Sequence, residues 1–179
     1  MRSLSVILLI IAGLFVVSCN NNRPAGYVAT SKRGEKESAG KSLEKVNRYL
    51  VNAENKEIDS YIKRHKWNMK STGSGLRYEI YKKGNGPAIK KGNTVYLNYK
   101  EYLINGVLIY TSDKKGPKVF KAGRGGVESG LEEAVLLLGK GDKAHLILPS
   151  HLAFGLNGDG DKVPRRATVI YDIEVNDVK

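Results

Sequence analysis

Hydrophobic and polar positions divide the chain into three regimes. Leu4 to Val17 is an apolar run, and residues 20–40 that follow are dominated by Asn, Ser, Lys, Gly and Glu. With little there to bury, residues 19–41 are expected to form a flexible tether. From Ser42 onward Leu43, Val46, Leu50, Ala53, Ile58, Tyr61, Ile62 and His65 recur at near-helical spacing, and no Gly or Pro intervenes before Gly73. That spacing predicts an amphipathic helix within 42–72, about 25 residues long, with Ser42 as its N-cap. Its apolar stripe must be covered by the remainder of the chain or by the same helix of a second molecule, and the pattern does not choose between them. His65 and Trp67, at the helix end, are expected to pack and cap.

Past Ser71-Thr72-Gly73-Ser74-Gly75 the period shifts from 3.6 towards 2. Leu76 to Lys82 reads as a strand closed by the turn Gly84-Asn85-Gly86-Pro87. Thr94 to Ile104 reads as a longer strand, with Val95, Leu97, Tyr99 and Glu101 on one face and Tyr96, Asn98, Lys100 and Tyr102 on the other. Asn105-Gly106 supplies the positive φ angles of a two-residue hairpin, from which Val107 to Tyr110 returns. Val119-Phe120 falls in a short strand, and Lys143 to Leu148 and Thr168 to Val175 complete the set. The one helix expected in this half is Ser129 to Leu138, turned inward through Leu131, Val135 and Leu138 and ended by Gly139. Hairpin-linked strands with one helix to cover them make an α+β domain with an antiparallel sheet.

At 179 residues, 41% hydrophobic and 27% charged, the chain accommodates one folded domain with extensions. A net charge of +12 raises the question of nucleic acid. The excess is spread out: 12 Lys/Arg face 6 Asp/Glu in 20–75, and 17 face 12 in 76–179. No base-reading module accompanies it, so nucleic acid is not expected; a solvated surface, or attraction to anionic lipid headgroups, accounts for the lysines. The single cysteine excludes an internal disulfide. It stands in Val16-Val17-Ser18-Cys19, after the basic start Met1-Arg2-Ser3 and an apolar run shorter than the ~20 residues of a membrane span. This arrangement resembles the lipobox of bacterial lipoproteins. The resemblance implies a signal peptide over 1–18, a lipid anchor on Cys19 and a periplasm-facing position, and Asn20 resembles the sorting residue of outer-membrane lipoproteins.

From residue 73 to 179 the order of elements resembles the FKBP family of peptidyl-prolyl cis-trans isomerases. The segments that carry the resemblance are Ser74-Gly75-Leu76-Arg77-Tyr78, Val95-Tyr96-Leu97-Asn98-Tyr99, Gly106 to Ser112, Gly130-Leu131-Glu132-Glu133-Ala134 and Gly139 to Lys143. Leu148-Pro149 through Ala153-Phe154-Gly155, Val163 to Thr168 and Tyr171-Asp172-Ile173-Glu174 extend it. With its lipobox and basic helix, the whole is similar to gliding-motility-associated FKBP lipoproteins. The resemblance implies a half-barrel sheet wrapped around the short helix and an isomerase acting on proline-containing polypeptides of the cell envelope, with no cofactor. It also implies a pocket lined by Tyr99, Ile109, Phe120, Val127, Leu131, Phe154 and Tyr171, with Val163 near its flap and the backbone N–H of Val127 or Glu128 donating to a substrate carbonyl.

Several positions depart from the family. Ile109 replaces an aromatic, Tyr110 an Asp, Lys118 a Phe, Glu128 an Ile and Leu131 a Trp, while Asp159 stands at a flap residue. A Lys and a Glu at the rim shift the expected preference towards charged clients. These changes keep a second function open, that of a catalytically weak peptide-binding or assembly lipoprotein.

Other chemistries lack their residues. Asn157, Asp159 and Asp161 begin like a calcium loop, but Lys162 stands where Gly is needed and Thr168 where the bidentate Glu belongs. His65, His145 and His151 have no zinc-ligand spacing with a Cys. Gly123-Arg124-Gly125-Gly126 and Gly139-Lys140-Gly141 lack the Lys-Ser/Thr that opens a phosphate-loop helix, and no Gly-x-Ser-x-Gly elbow occurs.

Overall fold

The computed structural model describes residues 32–179, with side chains from residue 40. Residues 1–18, Cys19 and most of the expected tether lie outside the described residues. The helix α1 runs Lys32–His65, ten residues longer than the apolar stripe predicts, so Ser42 is an interior residue and not an N-cap. The physical reason lies in the composition of 32–41. Lys, Arg, Glu, Ser and Ala dominate it, a Gly costs only about 1 kcal/mol, and no Pro interrupts it. A helical backbone needs no apolar face; the stripe reports only the part that packs.

That part is the C-terminal half of α1. Ile58 is fully buried and Tyr61 nearly so, and both pack with Ile147 and Ile170 of the sheet and with Ile62, Trp67, Met69, Tyr102 and Ile104 around them. Val46, Tyr49, Leu50 and Val51, further up the same helix, stay exposed. The sheet therefore covers about half of the stripe. Glu54 fastens it, accepting hydrogen bonds from Ser150 N (2.7 Å), Ser150 Oγ (3.2 Å) and Thr168 Oγ1 (2.8 Å). His65 stacks on Tyr61 at 4.1 Å, and Trp67 stacks on His145 at 4.1 Å, as packing rings.

Seven strands are described: β1 Lys70–Ser71, β2 Arg77–Lys82, β3 Thr94–Leu103, β4 Leu108–Thr111, β5 Lys118–Lys121, β6 Lys143–Leu148 and β7 Val169–Val178. They form one antiparallel sheet in the order β1-β2-β6-β7-β3-β4, with β5 also pairing with β3. Residues 94–97 of β3 face β5 and residues 100–102 face β4, so two short strands share one edge of β3. Burial along β3 alternates as the sequence predicts, with Val95, Leu97, Tyr99 and Glu101 inside. The β3–β4 turn differs from expectation. Leu103 N donates to Val107 O, leaving a three-residue loop in which Gly106 alone has positive φ (87°), while Asn105 Oδ1 accepts from Val107 N. A type I turn followed by one left-handed residue fits the bulge in the β3–β4 register.

The helix on the inner face of the sheet, α3 Ser129–Val135, ends three residues before the expected Leu138; Leu137 and Leu138 continue as a tighter i→i+3 turn. The short helix α2 Ser112–Lys115 precedes it in the chain, and one 3₁₀ turn, Ser150–Leu152, follows β6; neither is visible in the apolar pattern. α3 seats close to the sheet because Gly130 carries no side chain: a Cβ there would stand 2.6 Å from Leu148 Cγ. Leu131, Ala134, Val135 and Leu138 enter one core with Val95, Leu97, Leu146, Leu148, Ile173 and Val175.

Candidate functional site

The inner face of the sheet curves around α3, and each wall of the resulting concavity has a simple origin. Alternation in β3 and β7 turns Tyr99 and Tyr171 inward; their ring centroids lie 6.2 Å apart at 56°. Ile109 comes from β4, Phe120 from β5 and Leu131 from α3, all buried. Val127, Tyr110 and Phe154 are half-buried against the same core, and Val163 is buried at the loop above it. All of the apolar residues expected in the pocket therefore meet in one cluster. Glu128 immediately precedes α3, its carbonyl accepting from the N–H groups of Leu131 and Glu132, while its side chain does not cap the helix.

That side chain turns into the pocket. Glu128 Oε1 accepts from Tyr171 OH (3.0 Å) and faces Lys118 Nζ at 3.3 Å. Lys118 Nζ in turn lies 5.1 Å from the Tyr99 ring centre and 5.5 Å from that of Tyr171. An ammonium ion is thus held over two aromatic faces. The ring walls are present, and the Lys118 ammonium, paired with Glu128, stands over their faces.

Behind these rings stands Glu101, which is 1% exposed and whose Oε1 has no hydrogen-bond partner among the described residues. Burial pushes its carboxyl up to about 7, with the charges of Glu128 and Asp159 adding to the effect and Lys118 and Tyr171 opposing it. Burial and the same two glutamates hold the Tyr171 phenol far above its ordinary value. Glu101 was legible as an inward-facing position, and a carboxylate among Val95, Leu97 and Tyr99 was the available signal for it. The Lys118–Glu128 pairing was not legible, since it joins β5 to the start of α3 across the pocket.

The rim is built by the loop after the 3₁₀ turn. Tyr110 OH donates to Asp159 Oδ2 (2.5 Å) and contacts Asp161 Oδ2 (3.0 Å), and Asp159 Oδ1 accepts from the N–H groups of Asp161 and Val163. Burial alone would raise the Asp159 carboxyl, but the Tyr110 hydroxyl and these N–H donors hold it below its ordinary value. A carboxylate from the opposite loop, that of Asp159, thus stands against Tyr110 of β4. Gly158 (φ 69°) permits the close approach of this loop, since a Cβ would collide with Val163 O.

A cleft of about 480 Å³ opens on the other face of the sheet, lined by Tyr61, Arg64, Trp67, Tyr102, His145 and Asp172 among others. Its rings stack on one another, and burial pushes the His145 imidazole below its ordinary value despite Asp172 and Glu79. It lies where α1 packs on the sheet.

Residues 86–176 match the model of the FKBP-type peptidyl-prolyl cis-trans isomerases, about half of the chain. The chain belongs to that family. It is 32% identical over 156 residues to a probable FKBP-type peptidyl-prolyl cis-trans isomerase of Haemophilus influenzae, covering 79% of this chain and 64% of that protein. A probable FkpA of Neisseria meningitidis is 32% identical over 142 residues, covering 78% of this chain and 51% of its own length. The chain thus spans half to two thirds of these relatives. The crystal structure of FkpA from Escherichia coli superimposes with a TM-score of 0.63 at 31% identity, over 82% of this chain and 68% of that one. The sheet in which β4 and β5 share one edge of β3 is that of an FKBP-like fold.

Proposed function

We propose that the chain is a peptidyl-prolyl cis-trans isomerase that assists the folding of cell-envelope proteins, using the concavity of Tyr99, Ile109, Phe120, Val127, Leu131, Phe154 and Tyr171 as its prolyl site. The convergence of these side chains from four strands, one helix and two loops is the observation that carries the reading. The reaction needs no nucleophile, because the barrier of ~18–20 kcal/mol is resonance in the C–N bond. A poorly hydrated seat disfavours the planar, charge-separated amide relative to the twisted one, and an N–H from Val127 or Glu128 supplies an oriented donor to the substrate carbonyl. Unassisted, such bonds take tens to hundreds of seconds. The test is acceleration of X–Pro isomerisation in peptides by the chain from residue 20 onward, with several residues before proline; no acceleration with any of them refutes the reading.

The second reading, a peptide-binding module with little catalysis, is favoured by the Lys118–Glu128 pair at the ring walls. It predicts saturable binding of prolyl peptides without rate enhancement. For either reading we propose attachment to the envelope through a lipid on Cys19, facing the periplasm, supported by the apolar run Leu4 to Val17 and the Ser18-Cys19 junction. Among the described residues no helix is long and apolar enough to cross a membrane. Mass spectrometry of the membrane fraction tests it, a diacylglyceryl adduct on Cys19 being the expected mass. The exposed Val46, Tyr49, Leu50 and Val51 support self-association through 42–66, for which sedimentation of a monomer at high concentration is the refuting result.

A further inference from the structure

Three ammonium groups stand at the mouth of the prolyl site. Lys118 covers the faces of Tyr99 and Tyr171. Lys115 lies 3.8 Å from the centre of the Tyr110 ring, and Lys162 lies 5.3 Å from it with Nζ also 3.4 Å from Ile109 O. Lys162 thus reaches the backbone of Ile109, and both cations stand over the ring of its neighbour Tyr110.

The acids nearby already hold hydrogen-bond partners, Asp161 while remaining exposed. Asp159 and Asp161 share the Tyr110 hydroxyl, and Asp159 also holds two backbone N–H groups. Glu128, with a side chain 7% exposed, holds the Tyr171 hydroxyl. Lys115 and Lys162 are exposed and have ring faces and a carbonyl, and no carboxylate within ion-pair distance among the described residues. Lys115 and Lys162 are therefore cations at the mouth without a carboxylate partner among the described residues, beside Asp159 and Asp161, whose carboxylates are shared with the Tyr110 hydroxyl.

A prolyl ring and the Lys118 ammonium compete for one volume. A ring seated against the faces of Tyr99 and Tyr171 that Lys118 covers displaces the ammonium from both, leaving Glu128 as its partner. A carboxylate on the substrate residue next to proline supplies a second partner for the displaced ammonium. We propose that Lys115, Lys118 and Lys162 make this site selective for proline segments with a carboxylate immediately before the proline, and that Lys118 is the specificity-determining residue. It lies over the ring walls when the site is empty and transfers onto the substrate acid when it is filled. The inference rests on the isomerase reading above and names the substrate class of that same site.

The test is kcat/KM of the full chain for three peptides that differ only in Glu, Leu or Lys before proline. Wild type is expected to favour Glu over Leu by roughly fivefold, with Lys below Leu, and added salt should narrow the spread. Lys118→Met keeps the stem and removes the charge, and is expected to raise the Leu peptide and lower the Glu peptide until they are equal or reversed. Lys115→Gln with Lys162→Gln removes the two exposed cations, and is expected to narrow the Glu preference by about half. A wild type that favours Leu or Lys overturns the inference and leaves the isomerase reading standing, as does a Glu preference that both variants retain. Absence of acceleration with all three peptides removes the isomerase reading and the inference with it.

Discussion

Replacing Glu101 by Gln tests whether a buried acid is tolerated behind the pocket because it keeps its proton. Glu101 is 1% exposed on β3, and the groups that face it are Lys118 of β5, Tyr171 of β7, Glu128 at the start of α3 and Asp159 of the rim loop. Burial is the largest influence and pushes the carboxyl from the ordinary glutamate value of 4.5 to about 7. A shift of that size corresponds to about 3 kcal/mol between the two protonation states. The folded chain binds this proton more tightly than the unfolded chain does. Its stabilising contribution is therefore complete below pH 4.5 and is lost as pH rises through about 7. Glutamine imitates the protonated acid at every pH. In urea titrations the variant should match wild type near pH 4.5, where the other titrating groups act on both proteins alike, and exceed it by about 2–3 kcal/mol at pH 8. A variant destabilised by the same amount at all pH values would refute the reasoning, since that pattern belongs to a lost hydrogen bond and not to a lost ionisation.

Tyr99→Ala and Phe154→Ala should each lower kcat/KM for prolyl peptides by at least tenfold while leaving the far-ultraviolet circular dichroism unchanged; undiminished activity in both would remove these residues from the site. Glu54→Ala leaves Ser150 N and the Thr168 hydroxyl without their acceptor, and should cost about 1–3 kcal/mol. Hydrogen exchange should then quicken over 54–65, with 94–103 unaffected. Asp142 is fully buried and accepts from Gly84 N, Gly139 N and Lys83 Nζ. Burial works against its charge, but Lys83 and the two amides prevail and hold the carboxyl below its ordinary value, so its contribution is present above that value and fades as pH falls through the folded-state value. Asp142→Ala should cost about 2–4 kcal/mol at pH 7, measured by urea denaturation, and much less at pH 2.

The two-residue alternation along β3 was enough to place Val95, Leu97, Tyr99 and Glu101 on one face, because a pleated strand has no other way to dispose successive side chains. The strand Lys143–Leu148 and the inward face of α3 follow from the same kind of pattern, and the aromatic walls follow once that pattern is aligned with the family's. Local periodicity is encoded within a dozen residues, so a single sequence carries it. What it does not carry is how far a helix continues once its apolar stripe has ended, and α1 reaching back to Lys32 shows this.

Contacts between distant segments form the other class. Alternation along β5 places Lys118 on the face of Phe120, but nothing local pairs it with Glu128. Only the curvature of the sheet over α3 brings them to 3.3 Å, above rings contributed by β3 and β7. The same holds for Tyr110, which finds in Asp159, 49 residues later, the carboxylate absent from its own strand. An ion pair in a pocket has a low local dielectric and fixed neighbours only after the chain has closed around it. The type of wall is therefore written in the primary structure, whereas what stands over the walls is a product of closure.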